Sequence, residues 1–201
     1  MINGDISDRI VYSGGDIIIF DKNPGEDSEM IPELLGGGFN VLTRLDKPVA
    51  GLLPLLRTTG DKTRYCFEKT YLAVVCGDPG ESGLMEDLLF HDKRANKTYV
   101  VKRMRKGVKS ASLEYERLAY DQEHDLSLVK IRLMTGRTHQ IRVQFGSRHM
   151  PLAGDGKYGS RIKCENVALI AHEIVLKDLK EGTSTRIVSK IPDIYPWNLY
   201  Q

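Results

Sequence analysis

The stretch Leu42-Thr43-Arg44-Leu45-Asp46-Lys47-Pro48-Val49-Ala50-Gly51-Leu52-Leu53 sets one carboxylate between two apolar runs, with an arginine two residues before it. An acid flanked by leucine and close to a core is costly to ionise unless a cation meets it. Asp46 is therefore a candidate for chemistry that needs a held carboxylate. It also reads as a helix N-cap, since Asp before Lys-Pro caps well and proline is welcome in a first turn. Tyr71 lies in the apolar run Tyr71-Leu72-Ala73-Val74-Val75, where a tyrosine serves a core as readily as a reaction. Arg142 falls in a short helical pattern and reads by itself as a surface charge. His172, inside an apolar run, reads as a satisfied buried histidine. Asp155, between two glycines, reads as a turn residue.

Other chemistries find little support. Cys66, Cys76 and Cys164 are odd in number, widely spaced and contain no C-x-x-C, which argues against a disulfide framework or a zinc site. Gly36-Gly37-Gly38 lacks the Lys-Ser/Thr of a P-loop and the spacing of a dinucleotide fingerprint, so it reads as a turn. No metal is expected from these residues.

The elements that must hold these residues are mainly strands. Ile10 to Tyr12 and Asp16 to Phe20 read as a hairpin across Ser13-Gly14-Gly15. Asp21 to Met30 is polar and reads as a loop. Val49 to Arg57 is a strand leading away from Asp46. Arg64 to Glu68 reads as a short helix, and Thr70 to Cys76 as a strong strand closed by Gly77-Asp78-Pro79-Gly80. Gly83 to Leu89 reads as a further short element, and Thr98 to Arg103, Ser110 to Tyr120, Leu126 to Met134, Val167 to Val175 and Thr185 to Ser189 supply further extended segments. Thr138 to Phe145 has helical spacing and stops at Gly146. The tail from Pro192 is expected to dock on the surface. Many strands and few helical patterns predict an α/β (α+β) fold dominated by its sheet.

A chain of 201 residues suits one domain. Its apolar fraction of 41%, charged fraction of 28% and net charge of +2 are ordinary. The distribution of charge says more. Lys93 to Lys109 holds eight Lys or Arg and no acid; Lys130 to Met150 holds five, with two His and no acid. Both segments read as one positive face towards a polyanion, or as solvated surface. Met1 to Ile10 has no basic region followed by an apolar one, and no apolar run approaches a membrane span. A cytoplasmic protein with no membrane partner is expected.

Four segments then bear on one another. They are Thr43-Arg44-Leu45-Asp46, Lys69-Thr70-Tyr71-Leu72-Ala73-Val74-Val75-Cys76-Gly77, Gly136-Arg137-Thr138-His139-Gln140-Ile141-Arg142-Val143, and Pro151-Leu152-Ala153-Gly154-Asp155-Gly156-Lys157-Tyr158-Gly159. In type and order they resemble the RluA-type family of RNA pseudouridine synthases, from about Val11 to at least Ser189. Thr43 stands where the family usually has His, Ala50 where it has Ser, and Gln144 where it often has His. The segment between Arg57 and Lys69 is shorter than the family's.

The resemblance implies a pseudouridine synthase catalytic fold, with a mixed, mainly antiparallel central sheet and flanking helices and loops. It implies a single catalytic domain over residues 1–201 with no separate N-terminal RNA-binding domain. The implied activity is isomerisation of uridine to pseudouridine in ribosomal or transfer RNA, without a cofactor; a monomer is expected. Asp46, Tyr71 and Arg142 would be catalytic: Asp46 starting the chemistry, Tyr71 stacking on uracil, Arg142 pairing with Asp46. Arg44, Ile141, Arg137 and His139 would bind substrate, with a structural role for Arg137 and His139 also open. Two other functions are weighed. One is an RNA-binding module of the same fold without turnover, against which the retained acid argues. The other is a glycoside hydrolase, for which no second carboxylate motif is present.

Overall fold

The computed structural model describes residues 6–201; Met1 to Asp5, half of the stretch inspected for a leader, lie outside the described residues. In chain order the elements are β1 (Ile10–Gly14), β2 (Ile17–Lys22), α1 (Ile31–Leu34), β3 (Phe39–Val41), β4 (Ala50–Arg57), β5 (Tyr65–Cys76), β6 (Ser82–Asp92), β7 (Lys97–Val101), β8 (Val108–Asp121), β9 (Leu126–Leu133), α2 (Gln140–Gly146), β10 (Leu169–Asp178) and β11 (Thr183–Val188). The chain forms two compact units: residues up to Thr70 with Ile170–Ile191, and Tyr71–Leu169 with Pro192–Gln201. Strand β5 passes from the first to the second. Most strand pairs are antiparallel and helices are few, as the alternating apolar pattern predicts. No helix among the described residues is long and apolar enough to cross a membrane.

In the first unit β4 pairs antiparallel with β2 along Gly51 to Leu56 and with β3 near its end. At its start β4 runs parallel to β10, through Ala50 and Gly51 against Ile170 and Ala171. That approach explains Gly51: its φ is +103°, and a Cβ there would run into the Ala171 carbonyl. Ile17, Ile19, Leu52, Leu56, Tyr65, Ile174, Leu176 and Ile187 form its core. The short helix expected over Arg64 to Glu68 is absent. Only Lys62–Arg64 turns, as 3-10 helix, and Tyr65 already begins β5. Tyr65 goes into the core, where its hydroxyl accepts the Asp16 N–H at 3.0 Å, so the backbone there must be extended.

In the second unit β8 is the long central strand, paired with β6 on one side and β9 on the other, and β6 carries β7 at the edge. Helix α2 packs Val143 against Leu89 and Ala111, with Tyr158 alongside. The tail ends in a 3-10 turn, Trp197–Tyr200, that buries Trp197.

Candidate active site

Asp46 caps no helix. The Val49 N–H returns to the Asp46 carbonyl at 2.9 Å and closes a turn through Lys47 and Pro48, after which β4 begins. Pro48 takes the third position of that turn and has no N–H left to satisfy there. Asp46 is half-buried between buried Leu45 and buried Val49. Arg44 is exposed, and Glu29 approaches it at 3.5 Å. Thr43 accepts a hydrogen bond from Lys69 Nζ at 2.5 Å. Loss of solvent pushes Lys69 down to about 7, because among the described residues no carboxylate repays its charge.

Tyr71 and Arg142 belong to the second unit. Tyr71 is 7% exposed at the head of the buried run through Val75. Helix α2 carries Ile141 and Arg142, both buried. The surface reading of Arg142 is thus corrected: its Nε and Nη2 donate to Asp155 at 2.7 and 2.8 Å, a bidentate pair with the carboxylate 1% exposed. Such a fork fixes the guanidinium plane as well as compensating its charge. Asp155 is a turn residue too, since Tyr158 and Ser160 N–H groups reach its carbonyl, but its side chain is the larger finding. Sequence spacing hid it; the signal was its place in the Gly154-Asp155-Gly156 segment that accompanies the Arg142 motif.

The residues around α2 brace that arginine. His139 holds the N-cap in the left-handed region, φ +56°, and its Nδ1 meets the Tyr158 hydroxyl at 2.8 Å. The same hydroxyl accepts the Thr98 N–H at 2.9 Å, and the Arg142 guanidinium lies 5.2 Å from the Tyr158 ring centroid. Burial raises the Tyr158 pKa above the usual phenol range. Arg137 donates through Nε to the Ser110 carbonyl at 2.9 Å, and its backbone N–H goes to Gln140 Oε1. Gln140, unnoticed in the sequence, also bonds Thr135 Oγ1 and the Ser112 carbonyl. Gln144 is fully buried and donates to Asp87 at 2.7 Å. His172 is half-buried with Ser189 Oγ at 3.4 Å, and burial lowers its pKa. Among the described residues no group of His, Cys, Asp or Glu is arranged to hold a metal.

The two basic segments differ. Lys130 and Arg132 lie across from Glu116 and Glu114, Arg142 is buried on Asp155, and Arg148 meets Asp87. The 130–150 segment is therefore mostly compensated and does not form the expected positive face. In the 93–109 segment, Lys97 lies 5.8 Å from the Tyr99 ring centroid and Arg105 5.1 Å from that of Phe90. A cleft of about 470 Å³ beside β7 is lined by Lys97, Tyr99, Val143, Lys157 and Tyr158.

Residues 18–147 match the family model described as RNA pseudouridylate synthase. An uncharacterized RNA pseudouridine synthase of Chloroflexus aurantiacus is 33% identical over 144 residues, 65% of this chain and 43% of that protein. The mitochondrial tRNA pseudouridine(32) synthase of Saccharomyces cerevisiae is 28% identical over 76% of this chain and 37% of its own length. Ribosomal large subunit pseudouridine synthase D of Vibrio cholerae is 28% identical over 79% and 55%. The chain spans about half the length of the curated relatives it matches. Human RNA Pseudouridylate Synthase Domain Containing 1 superposes with a TM-score of 0.76 at 20% identity, over 96% of this chain and 88% of that one. Domain Containing 4 gives 0.71 at 19%, over 93% and 90%. These two likenesses establish the fold.

Proposed function

The chain belongs to the RNA pseudouridylate synthase family, and from that premise we propose that it isomerises uridine to pseudouridine in a structured RNA of the ribosomal or transfer class. The names of its relatives support both classes. The observation that carries the proposal is the Arg142–Asp155 pair. A buried guanidinium is expensive to desolvate, and a buried pair is weak evidence for stability alone. Its use is to present a fixed cation, and Arg142 lies in the segment that most resembles the family.

In the reaction the C1′–N1 bond of uridine breaks, the base turns, and a C1′–C5 bond forms. The proton lost from C5 is balanced by the one gained at N1, so no oxidant or cofactor enters. The uridine leaves its stack to be reached, and Arg44, exposed on the approach to Asp46, fills the vacated space and contacts phosphate. Asp46 acts as nucleophile on the sugar or as base in an elimination. Arg142 is its countercharge. Tyr71 stacks on uracil, and Ile141 packs against the ring and excludes water. Arg137 and His139 hold the α2 turn beside the substrate. The basic segment 93–109 contacts phosphates. We assign these roles to one catalytic domain, acting as a monomer in the cytoplasm.

The test is incubation of unmodified cellular RNA with the purified protein, followed by carbodiimide-dependent reverse-transcription stops. New stops that vanish with Asp46→Asn, at unchanged folding and RNA mass, are the expected result. Turnover of Asp46→Asn near wild type removes Asp46 from the mechanism. Salt-sensitive RNA binding with no new stops supports a binding module instead.

A further inference from the structure

We propose that Lys22 and Ser28 are positioning residues for Asp46, fastening the backbone of the residues on both sides of that carboxylate. The proposal rests on Asp46 carrying the chemistry. Residues 21–30 read as a polar loop, yet Lys22 is 1% exposed and Ser28 2%. Lys22 ends β2, and its Nζ points to three backbone carbonyls: Asn23 at 2.9 Å, Glu26 at 2.9 Å and Lys47 at 3.2 Å. The Lys47 carbonyl also accepts the Gly25 N–H at 2.7 Å. Ser28 serves the other side. Its hydroxyl donates to the Leu45 carbonyl at 2.9 Å and accepts the Leu45 N–H at 3.1 Å. Leu45 and Lys47, the two neighbours of Asp46, are thus both fastened to one short loop.

The chemistry of the two side chains fits this work. An ammonium has three N–H donors and no acceptor, so three carbonyls satisfy it completely. A serine hydroxyl both donates and accepts, which lets one atom close both polar groups of Leu45. Burial pushes Lys22 down to about 8, with Glu26, Asp27 and Asp46 favouring the ammonium and Arg9 opposing it. It therefore stays charged at neutral pH. The loop is itself anchored: Arg9 Nη1 donates to Glu26 at 2.8 Å, and Asp27 caps the 28–30 turn by accepting the Glu29 N–H at 3.0 Å. A nucleophile or base held this way keeps its approach to the substrate, and small misplacements of such a group are costly to rate.

The experiment compares wild type, Ser28→Ala, Ser28→Thr and Lys22→Met. It measures kcat and KM for pseudouridine formation, the Kd for RNA, and hydrogen exchange at the Leu45 amide. Circular dichroism checks folding. Ser28→Ala is expected to lower kcat roughly 10–100-fold, leave KM and Kd within about threefold, and speed exchange at Leu45. Ser28→Thr, which keeps the hydroxyl, restores most of the kcat. Lys22→Met gives the same kcat loss if it folds; the serine variants decide the matter if it does not. Wild-type kcat in Ser28→Ala, a loss carried by KM and Kd, or no rescue by Ser28→Thr overturns the proposal. Failure of the functional assignment looks different: wild type makes no pseudouridine or Asp46→Asn stays active, while Leu45 exchange still reports whether Ser28 holds the turn.

Discussion

Among the described residues, none of the eight cations between Lys93 and Lys109 has a carboxylate within ion-pair distance, whereas four of the five between Lys130 and Met150 do. In the linear chain the two segments look alike. The difference arises across the sheet. Strand β9 lies beside β8, whose Glu114 and Glu116 face Arg132 and Lys130 in register. At the β7 edge the β6 residues opposite, Leu88 to Asp92, include one acid, Asp92 across from Lys97, but its carboxylate accepts the Arg94 and Ala95 N–H groups instead of pairing with the lysine. A run of basic residues is thus a positive face only where no carboxylate on the neighbouring strand is free to pair with it. One segment keeps its charge uncompensated among the described residues; the other has most of it paired with carboxylates of the fold.

The largest effect that would sharpen this contrast is on stability at the buried pair. Arg142→Met strands the Asp155 carboxylate, and unfolding free energy should fall by about 3–5 kcal/mol, with activity lost. Arg142→Met with Asp155→Leu should recover much of the stability and none of the activity. Denaturant unfolding reads both; a loss below about 1 kcal/mol in the single variant would mean the pair is not structural.

The next effect is on RNA binding. Replacing Lys102, Arg103 and Lys106 with alanine together should flatten the salt dependence of RNA affinity by roughly two ions, at about 0.7 per phosphate contact on a single strand. Stability should barely change. Lys130→Ala with Arg132→Ala should leave the slope as it is. Equal slopes for both variants would break the comparison.

The smallest concerns Lys69, a cation that is desolvated like Arg142 but has a hydroxyl for its partner instead of a carboxylate. Its folded pKa, about 7, lies below that of a lysine in the unfolded chain. Between those values the unfolded state holds a proton that the folded state has released, so stability rises with pH from about 7 towards 10. The contribution of one proton cannot exceed about 1.4 kcal/mol per pH unit. Lys69→Met should remove that share of the slope, leaving the similar and smaller one from Lys22. An unchanged slope would show that Lys69 keeps its proton.

Most of the strands were legible because alternation and β-branched runs are local properties, and β8, β9 and β10 lie close to where the pattern puts them. The segment after Arg64 was misread because Tyr65 takes its conformation from a core contact with β2 and β10, not from its neighbours. At the candidate site, the identities of Asp46, Tyr71 and Arg142 were visible as motifs. Their supports were not. Asp155 lies 13 residues from Arg142, Ser28 17 residues from Leu45, and Lys22 25 residues from the carbonyl it binds.

By itself, then, the amino-acid sequence determined the strand-rich class, the family and the residues offered for chemistry, since those depend on residue types and short spacings. Tertiary structure decided which charges are compensated, which loop fastens the neighbours of Asp46 and which basic segment keeps its charge unpaired among the described residues. Those outcomes depend on pairing between distant residues. A hydrogen bond or ion pair forms only when folding brings donor and acceptor within about 3 Å and excludes the water that would otherwise satisfy them.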